Sequence, residues 1–298
     1  MSTSLSQLID SQPLIVADGG MGTMLFAQGL QRGNSPELWN VERSDAVRRV
    51  HAAYISAGSQ IILTNSFGGS RARLASHGLA ERAAELNRAA ARNARAEADS
   101  AAREVVVAGS IGPTGMMLAP LGDLGYDDAV TMFAEQAAAL VDGGVDVLWI
   151  ETMSDLEEVR AAVAGCLQAS ERTPLVVTMT FDTRGRTMMG ITPEDAAQAL
   201  DGMGISAFGA NCGRGPDELE ATIERMHAAV PSAVLVAKAN AGLPRIVGTE
   251  AVYDATPDVM ADYARRVTAK GARIVGACCG STPDHIRAIA GAVSNIPV

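Results

Sequence analysis

Four cysteines stand in this chain, and three of them have a pattern. Cys278 and Cys279 are adjacent in Gly276-Ala277-Cys278-Cys279-Gly280, and Cys212 ends the similar Gly209-Ala210-Asn211-Cys212-Gly213. Thiolates are soft ligands that suit a cation such as Zn²⁺. A closed structural zinc site takes four protein ligands, whereas three plus an open position is the catalytic pattern. A redox dithiol would favour Cys-x-x-Cys, which is absent. Cys166 shares an apolar helical stripe with Val159 and Val163 and reads as a core residue. Three acidic residues, Asp18, Glu151 and Asp182, each follow a short apolar run. A carboxylate there can hold a substrate's ammonium group; otherwise Asp18 reads as a turn-former and Glu151 as an anion at a helix start. Asp182 lies in Asp182-Thr183-Arg184-Gly185-Arg186, a solvated loop.

These residues need a frame that brings them together, and the apolar pattern predicts one. β-Branched runs recur at Leu14–Ala17, Ile61–Thr64, Val105–Ala108, Val147–Ile150, Leu175–Thr180, Ala207–Ala210, Val234–Ala237 and Ile274–Ala277. Each is apolar on both faces, as parallel strands covered on both sides are. Helical spacing fills the intervals, for example Val130, Phe133, Ala137 and Leu140. Ser154, Thr192-Pro193 and Thr282-Pro283 read as helix starts, and Gly58, Gly144 and Gly271 as helix ends. Eight strand–helix units predict an α/β fold, a (β/α)8 TIM barrel, as one domain over residues 1–298. The first turn, Asp18-Gly19-Gly20-Met21-Gly22-Thr23, lacks the spacing of a dinucleotide-binding loop, and there is no phosphate-binding Gly-Lys-Ser/Thr. Barrel active sites lie at the carboxyl ends of the strands, where Asp18, Glu151, Cys212, Cys278 and Cys279 all fall. Consecutive strand residues point to opposite faces, so Cys278 and Cys279 can share a centre only if the chain turns at Gly280.

Composition narrows the partners. With 24 Lys and Arg against 34 Asp and Glu, the net charge is −10 and aromatics are 4%. That excludes the basic patches and stacking platforms of nucleic-acid binders. No apolar run approaches the ~18 residues of a membrane span. The first residues, MSTSLSQLIDSQP, have no basic region followed by an apolar one, so a cytoplasmic protein is expected. The oligomeric state, including a homo-oligomer, stays open. His51, His77 and His227 read as solvated on helices or their ends, and His285 falls in the first turn of the last helix.

Three segments carry a resemblance: Asp18-Gly19-Gly20-Met21-Gly22-Thr23-Met24, Gly209-Ala210-Asn211-Cys212-Gly213 and Gly276-Ala277-Cys278-Cys279-Gly280-Ser281-Thr282-Pro283. Together they resemble the homocysteine S-methyltransferase family, over about Pro13 to Ile289. The resemblance implies a (β/α)8 barrel with one Zn²⁺ held by Cys212, Cys278 and Cys279. It implies homocysteine as methyl acceptor, bound through Asp18 and Glu151, with backbone N–H groups near Gly19 and Gly20 receiving its carboxylate. Asn240 matches a residue that some relatives use as a fourth zinc ligand without homocysteine; it reads equally as a turn asparagine.

The methyl donor is less well marked. The resemblance to stand-alone bacterial members described as betaine-type rests on Pro36-Glu37-Leu38-Trp39-Asn40 and Asn65-Ser66-Phe67-Gly68-Gly69-Ser70. It implies a small onium donor, betaine first or S-methylmethionine. A quaternary cation favours an aromatic cage, and Trp39, Phe67 and Tyr126 are its candidates here, although loop packing explains Trp39 and Tyr126 equally well. Animal betaine-using relatives carry tyrosine directly after the strand-four glutamate, where this chain has Thr152. The loops Gly112–Tyr126 and Asn240–Thr256 are expected to close over the donor. The runner-up is a subunit taking methyl from a separate methylcorrinoid protein. Two readings from other classes are a binding subunit with structural zinc and a metal-free cysteine-nucleophile enzyme.

Overall fold

A computed structural model describes residues 4–243, 245–247, 250–294 and 296. Its strands are β1 (Ile15–Val16), β2 (Ile61–Leu63), β3 (Val106–Ile111), β4 (Val147–Met153), β5 (Leu175–Met179), β6 (Ala207–Cys212), β7 (Leu235–Ala239), β8 (Arg245–Val247), β9 (Glu250–Val252) and β10 (Ala272–Ala277). The helices are α1 (Leu5–Ser11), α2 (Met21–Ala27), α3 (Trp39–Glu42), α4 (Ser44–Ala57), α5 (Arg71–Ala75), α6 (Ala83–Asp99), α7 (Tyr126–Gly143), α8 (Leu156–Ala169), α9 (Pro193–Asp201), α10 (Pro216–Ala229), α11 (Pro257–Ala269) and α12 (Pro283–Ser294).

Eight parallel strands pair in the order β1-β10-β7-β6-β5-β4-β3-β2. An Ala17–Ile61 bridge joins the two ends, so the sheet curls into a (β/α)8 barrel. All eight expected runs fall on barrel strands. Alternation then sorts their residues. Ile15, Ile61, Val106, Val147, Trp149, Val176, Val236 and Ile274 pack together inside the barrel, with Leu5 and Leu8 of α1 against them. Val16, Leu148, Val177, Phe208 and Val275 belong to the larger core between strands and helices. Trp149 fills the interior, so the barrel is a packed core whose free space lies beyond the strand ends.

Local signals explain the helix boundaries. Thr192 caps α9, accepting from the Asp195 N–H at 3.1 Å, with Pro193 in the first turn. The cap of α8 is Asp155 rather than the expected Ser154, because the Asp155 side chain accepts from the Glu157 N–H. Gly144 closes α7 in the left-handed conformation. The segment after β7 contains the antiparallel β8–β9 hairpin; Pro244, Gly248 and Thr249 of that expected lid lie outside the described residues.

His51 is fully buried, contrary to the solvated reading. It lies on the buried face of α4 with Val47, Val50 and Tyr54, a helical spacing that placed it inward. His285 is also buried: its Nε2 lies 2.8 Å from the Ala255 carbonyl and its Nδ1 2.9 Å from Thr282 Oγ1, which ties the start of α12 to the preceding loop.

Candidate active site at the carboxyl end of the barrel

A cavity of about 1060 Å³ opens at the carboxyl ends of the strands, and Asp18, Glu151, Cys212, Lys238, Cys278 and Cys279 line it. Strand alternation selects most of the inner wall. Val106, Val147 and Val236 point inward, so Ser110, Glu151 and Lys238 on the same strands point inward at the mouth. Cys212 has the opposite parity, and a regular strand would turn it outward. Its φ of 60° swings the end of β6 out of the strand conformation. Cys278 and Cys279 lie just past β10, and Gly280 with φ 79° turns the chain as expected. A Cβ on Gly280 would sit 2.1 Å from Tyr253 Cγ, so only glycine fits.

The three sulfurs converge. Cys212 Sγ lies 2.8 Å from Cys278 Sγ, Cys278 Sγ lies 4.0 Å from Cys279 Sγ, and all three fall within 4.8 Å of one another. Cys166 is buried in the core. Hydrogen bonds from Cys212 and Cys278 hold the Cys279 thiol far below its usual range, while hydrogen bonding to Cys278 and Cys279, and burial, push the Cys212 thiol up. The cluster thus stabilises one thiolate readily and resists three, unless a cation neutralises them. The donor set, three convergent sulfurs facing a cavity, fits Zn²⁺ with one position left open.

Neighbouring residues hold this arrangement in place. Asn211 Oδ1 accepts from the Thr152 N–H and from Thr178 Oγ1, both at 2.8 Å. Its Nδ2 donates to Thr152 Oγ1 at 2.7 Å and lies 3.6 Å from Cys212 Sγ. Thr152 has φ 62°, and the β4–β5 register shifts between Ile150 and Met153, so Asn211 braces two adjacent irregular strand ends. Asn240 accepts from the Cys279 N–H at 3.1 Å and donates to the Gly213 carbonyl at 2.8 Å. It therefore links the two cysteine-bearing turns. Ser281 Oγ accepts from the Gly20 N–H at 2.9 Å and donates to the Cys278 carbonyl at 2.7 Å.

The two carboxylates differ. Asp18 Oδ1 accepts from Lys238 Nζ at 2.8 Å and Oδ2 from the Leu63 N–H at 2.7 Å, so each oxygen already has a donor. Burial pushes the Asp18 carboxyl up, opposed by Lys238 and the Leu63 amide. Glu151 accepts only from Ser110 Oγ among the described residues. Burial pushes its carboxyl up to about 7, against the pull of Lys238. Lys238, which sequence reasoning passed over, is buried with Asp18 and lies 5.6 Å from the Trp149 ring centre. Burial disfavours its charge, and Asp18 and Glu151 more than restore it. The available signal was its inward parity on β7.

The expected aromatic residues do not gather in one place. Phe67 lines the cavity; Trp39 and Tyr126 do not. Trp39 is buried with the Arg43 guanidinium 4.8 Å from its ring centre, and Tyr126 starts α7 with an exposed side chain. Of the backbone donors expected for a carboxylate, the Gly20 N–H is taken by Ser281, whereas the Gly19 N–H has no partner among the described residues.

Against this geometry, residues 15–293 match the family model described as homocysteine S-methyltransferase. The chain belongs to the homocysteine S-methyltransferase family. It is 35% identical to methionine synthase from Mycobacterium tuberculosis over 96% of its own length and 25% of that protein's, and 33% identical to the Mycobacterium leprae methionine synthase over 95% and 24%. The chain thus spans about a quarter of the length of these relatives. Among solved structures it is similar to the metallated homocysteine methyltransferase MmuM from Escherichia coli, with a TM-score of 0.82, 27% identity, and 96% and 99% of the two chains covered. Membership of the homocysteine S-methyltransferase family agrees with the resemblance carried by the three sequence segments, and among the described residues no helix is long and apolar enough to cross a membrane.

Proposed function

We propose that this chain is a zinc-dependent homocysteine S-methyltransferase that takes methyl from a small onium donor, betaine or S-methylmethionine. The observation that carries the reading is the convergence of three sulfurs, within 4.8 Å of one another, on a cavity that also holds Glu151. Cys212, Cys278 and Cys279 would hold the ion. When bound, Zn²⁺ supplies a dication that favours deprotonation of a thiol placed in its open position. Asn240, already hydrogen-bonded between the two cysteine turns, accepts one hydrogen bond at Oδ1 and keeps a second lone pair there through which it would act as a fourth ligand.

Glu151 has the free acceptor capacity to receive the homocysteine ammonium. Asp18, with a donor already on each oxygen, acts mainly by fixing Lys238 and the first turn. The Gly19 N–H, without a partner among the described residues, is the backbone donor available for the carboxylate. The thiol proton leaves to solvent on binding. The sulfur pair then attacks the donor methyl, a new C–S bond forms, and the old bond's pair returns to the onium nitrogen or sulfur. The products are methionine and a neutral amine or sulfide.

A donor screen tests this: zinc-loaded protein with homocysteine and betaine, S-methylmethionine, dimethylsulfoniopropionate or methylcobalamin, with methionine formation as readout. Turnover with an onium and no partner protein is expected. A second reading, methyl supplied by a methylcorrinoid protein, is favoured by the 35% identity to a methionine synthase of which this chain spans a quarter. Methionine formed from a methylated corrinoid protein alone, and from no onium, would establish that reading instead.

A further inference from the structure

The cavity lining carries charge in two places. Its inner wall holds the cysteines, Glu151 and the Asp18–Lys238 pair, while Glu37, Arg32 and Arg73 lie elsewhere on its lining. Many arginines of this acidic chain are ion-paired, as Arg71 is with Glu135, Arg95 with Asp146 and Arg225 with Glu194. Arg73 has no side-chain hydrogen bond or ion pair among the described residues. Its guanidinium instead lies 5.8 Å from the Phe67 ring centre, and its side chain passes beside Gly115. Glu158, the carboxylate that senses the Arg73 charge, is occupied by the Thr114 N–H at 2.8 Å and hydroxyl at 2.7 Å.

Phe67 is a firm platform for that guanidinium. A Cβ on Gly112 would sit 2.6 Å from its ring, so the β3 turn closes directly against it. An arginine held on an aromatic ring, with its fork of N–H donors unpartnered and facing a cavity, is preorganised for a planar anion. The same stacking places a cation against Phe67, which makes that ring a poor wall for a second cation.

We propose that Arg73, seated on Phe67, is the residue that selects the methyl donor by receiving a carboxylate group of that donor. This rests on the onium reading above. The onium head then lies toward the cysteine cluster, and the carboxylate lies toward Arg73. Donors of this kind are recognised by charge at both ends, so recognition does not need Trp39 and Tyr126, which lie off the cavity lining.

The test compares betaine and dimethylsulfoniopropionate with tetramethylammonium and trimethylsulfonium, which have onium heads but no carboxylate, in the zinc-loaded unaltered enzyme, Arg73→Met and Arg73→Lys. Arg73→Met is expected to raise KM for the carboxylated donors by roughly tenfold with kcat little moved, the scale of one charge-assisted hydrogen bond at a solvated site. Discrimination between the two donor classes shrinks accordingly, and Arg73→Lys recovers part of it. If the bare onium ions are not turned over, competition by tert-butylacetate, the uncharged-headed isostere of betaine, replaces them, and Arg73→Met is expected to weaken it. Unchanged KM and unchanged competition in Arg73→Met, or losses equal for both donor classes, would overturn the assignment while leaving onium-dependent methylation standing. No turnover with any onium in the unaltered enzyme would overturn that reading and this inference with it.

Discussion

At the residue scale the site reduces to a charge problem. Three thiols within 4.8 Å of one another cannot all ionise unless a cation joins them. We expect one zinc per chain by elemental analysis, lost in Cys212→Ala, Cys278→Ala and Cys279→Ala and kept in Cys166→Ala; a fully loaded Cys279→Ala protein would contradict the site. Glu151 gives a second prediction, with a definite sign. Burial lifts its carboxyl to about 7, so the empty cavity favours the neutral acid, whereas a bound ammonium favours the carboxylate. Affinity for an amino-acid ligand should therefore rise as pH increases toward about 7 and level off above it. Methionine is the suitable probe, because its thioether does not titrate. In Glu151→Gln the rise should vanish, with binding at pH 8 weaker by about 1.5–3 kcal/mol, the range for a hydrogen bond to a charged group. Calorimetry at several pH values checks both parts.

At the element scale, the strands act as a register. Period-two alternation delivers Ser110, Glu151 and Lys238 to one side, and β1 and β7, each paired to β10, bring Asp18 and Lys238 into contact at 2.8 Å. A buried ion pair is costly to break from one side, because the remaining charge has neither water nor partner. Lys238→Met should destabilise the protein by about 3–5 kcal/mol. The double variant Lys238→Met with Asp18→Asn should recover part of that loss. Urea unfolding of the two single variants and the double variant measures the coupling, and strictly additive losses would mean the pair does not interact as drawn.

For the molecule as a whole, stability and pH are linked through a group far from the chemistry. His51 is completely buried on α4, and neither ring nitrogen has a hydrogen-bond partner among the described residues. Burial lowers its pKa from 6.5 to about 4. A depressed histidine favours the fold above its unfolded pKa; as pH falls from about 6.5 toward 4, the unfolded chain takes the proton first and stability is lost. The loss approaches about 3 kcal/mol at most, at 1.36 kcal/mol per pH unit. His51→Phe should flatten that part of the acid limb, seen as urea midpoints that change less between pH 7 and pH 4.5 than those of the unaltered protein.

Much of this was written in one dimension. Apolar runs of strand length separated by helical spacing indicate parallel strands covered on both sides, their count of eight points to a barrel, and the fold then dictates that Asp18, Glu151, Cys212, Cys278 and Cys279 share one end. The three cysteine and glycine segments were enough to indicate the family. Tertiary structure decided what sequence position leaves open. Cys212 has outward parity on β6 and faces the cavity only because its backbone adopts φ 60°, a local choice supported by neighbours from two other strands. Lys238 and Asp18 are far apart in the chain, so their pairing, and the resulting difference in availability between Asp18 and Glu151, arises from closure of the barrel. Trp39, Phe67 and Tyr126 are cage candidates by residue type, but a cage requires three rings around one point. That depends on how loops pack, and here packing put Trp39 in the core under Arg43, left Tyr126 outside the cavity and set Phe67 beneath Arg73. Spacing along a chain encodes the period of a strand or helix, but contacts between distant loops have no period to read.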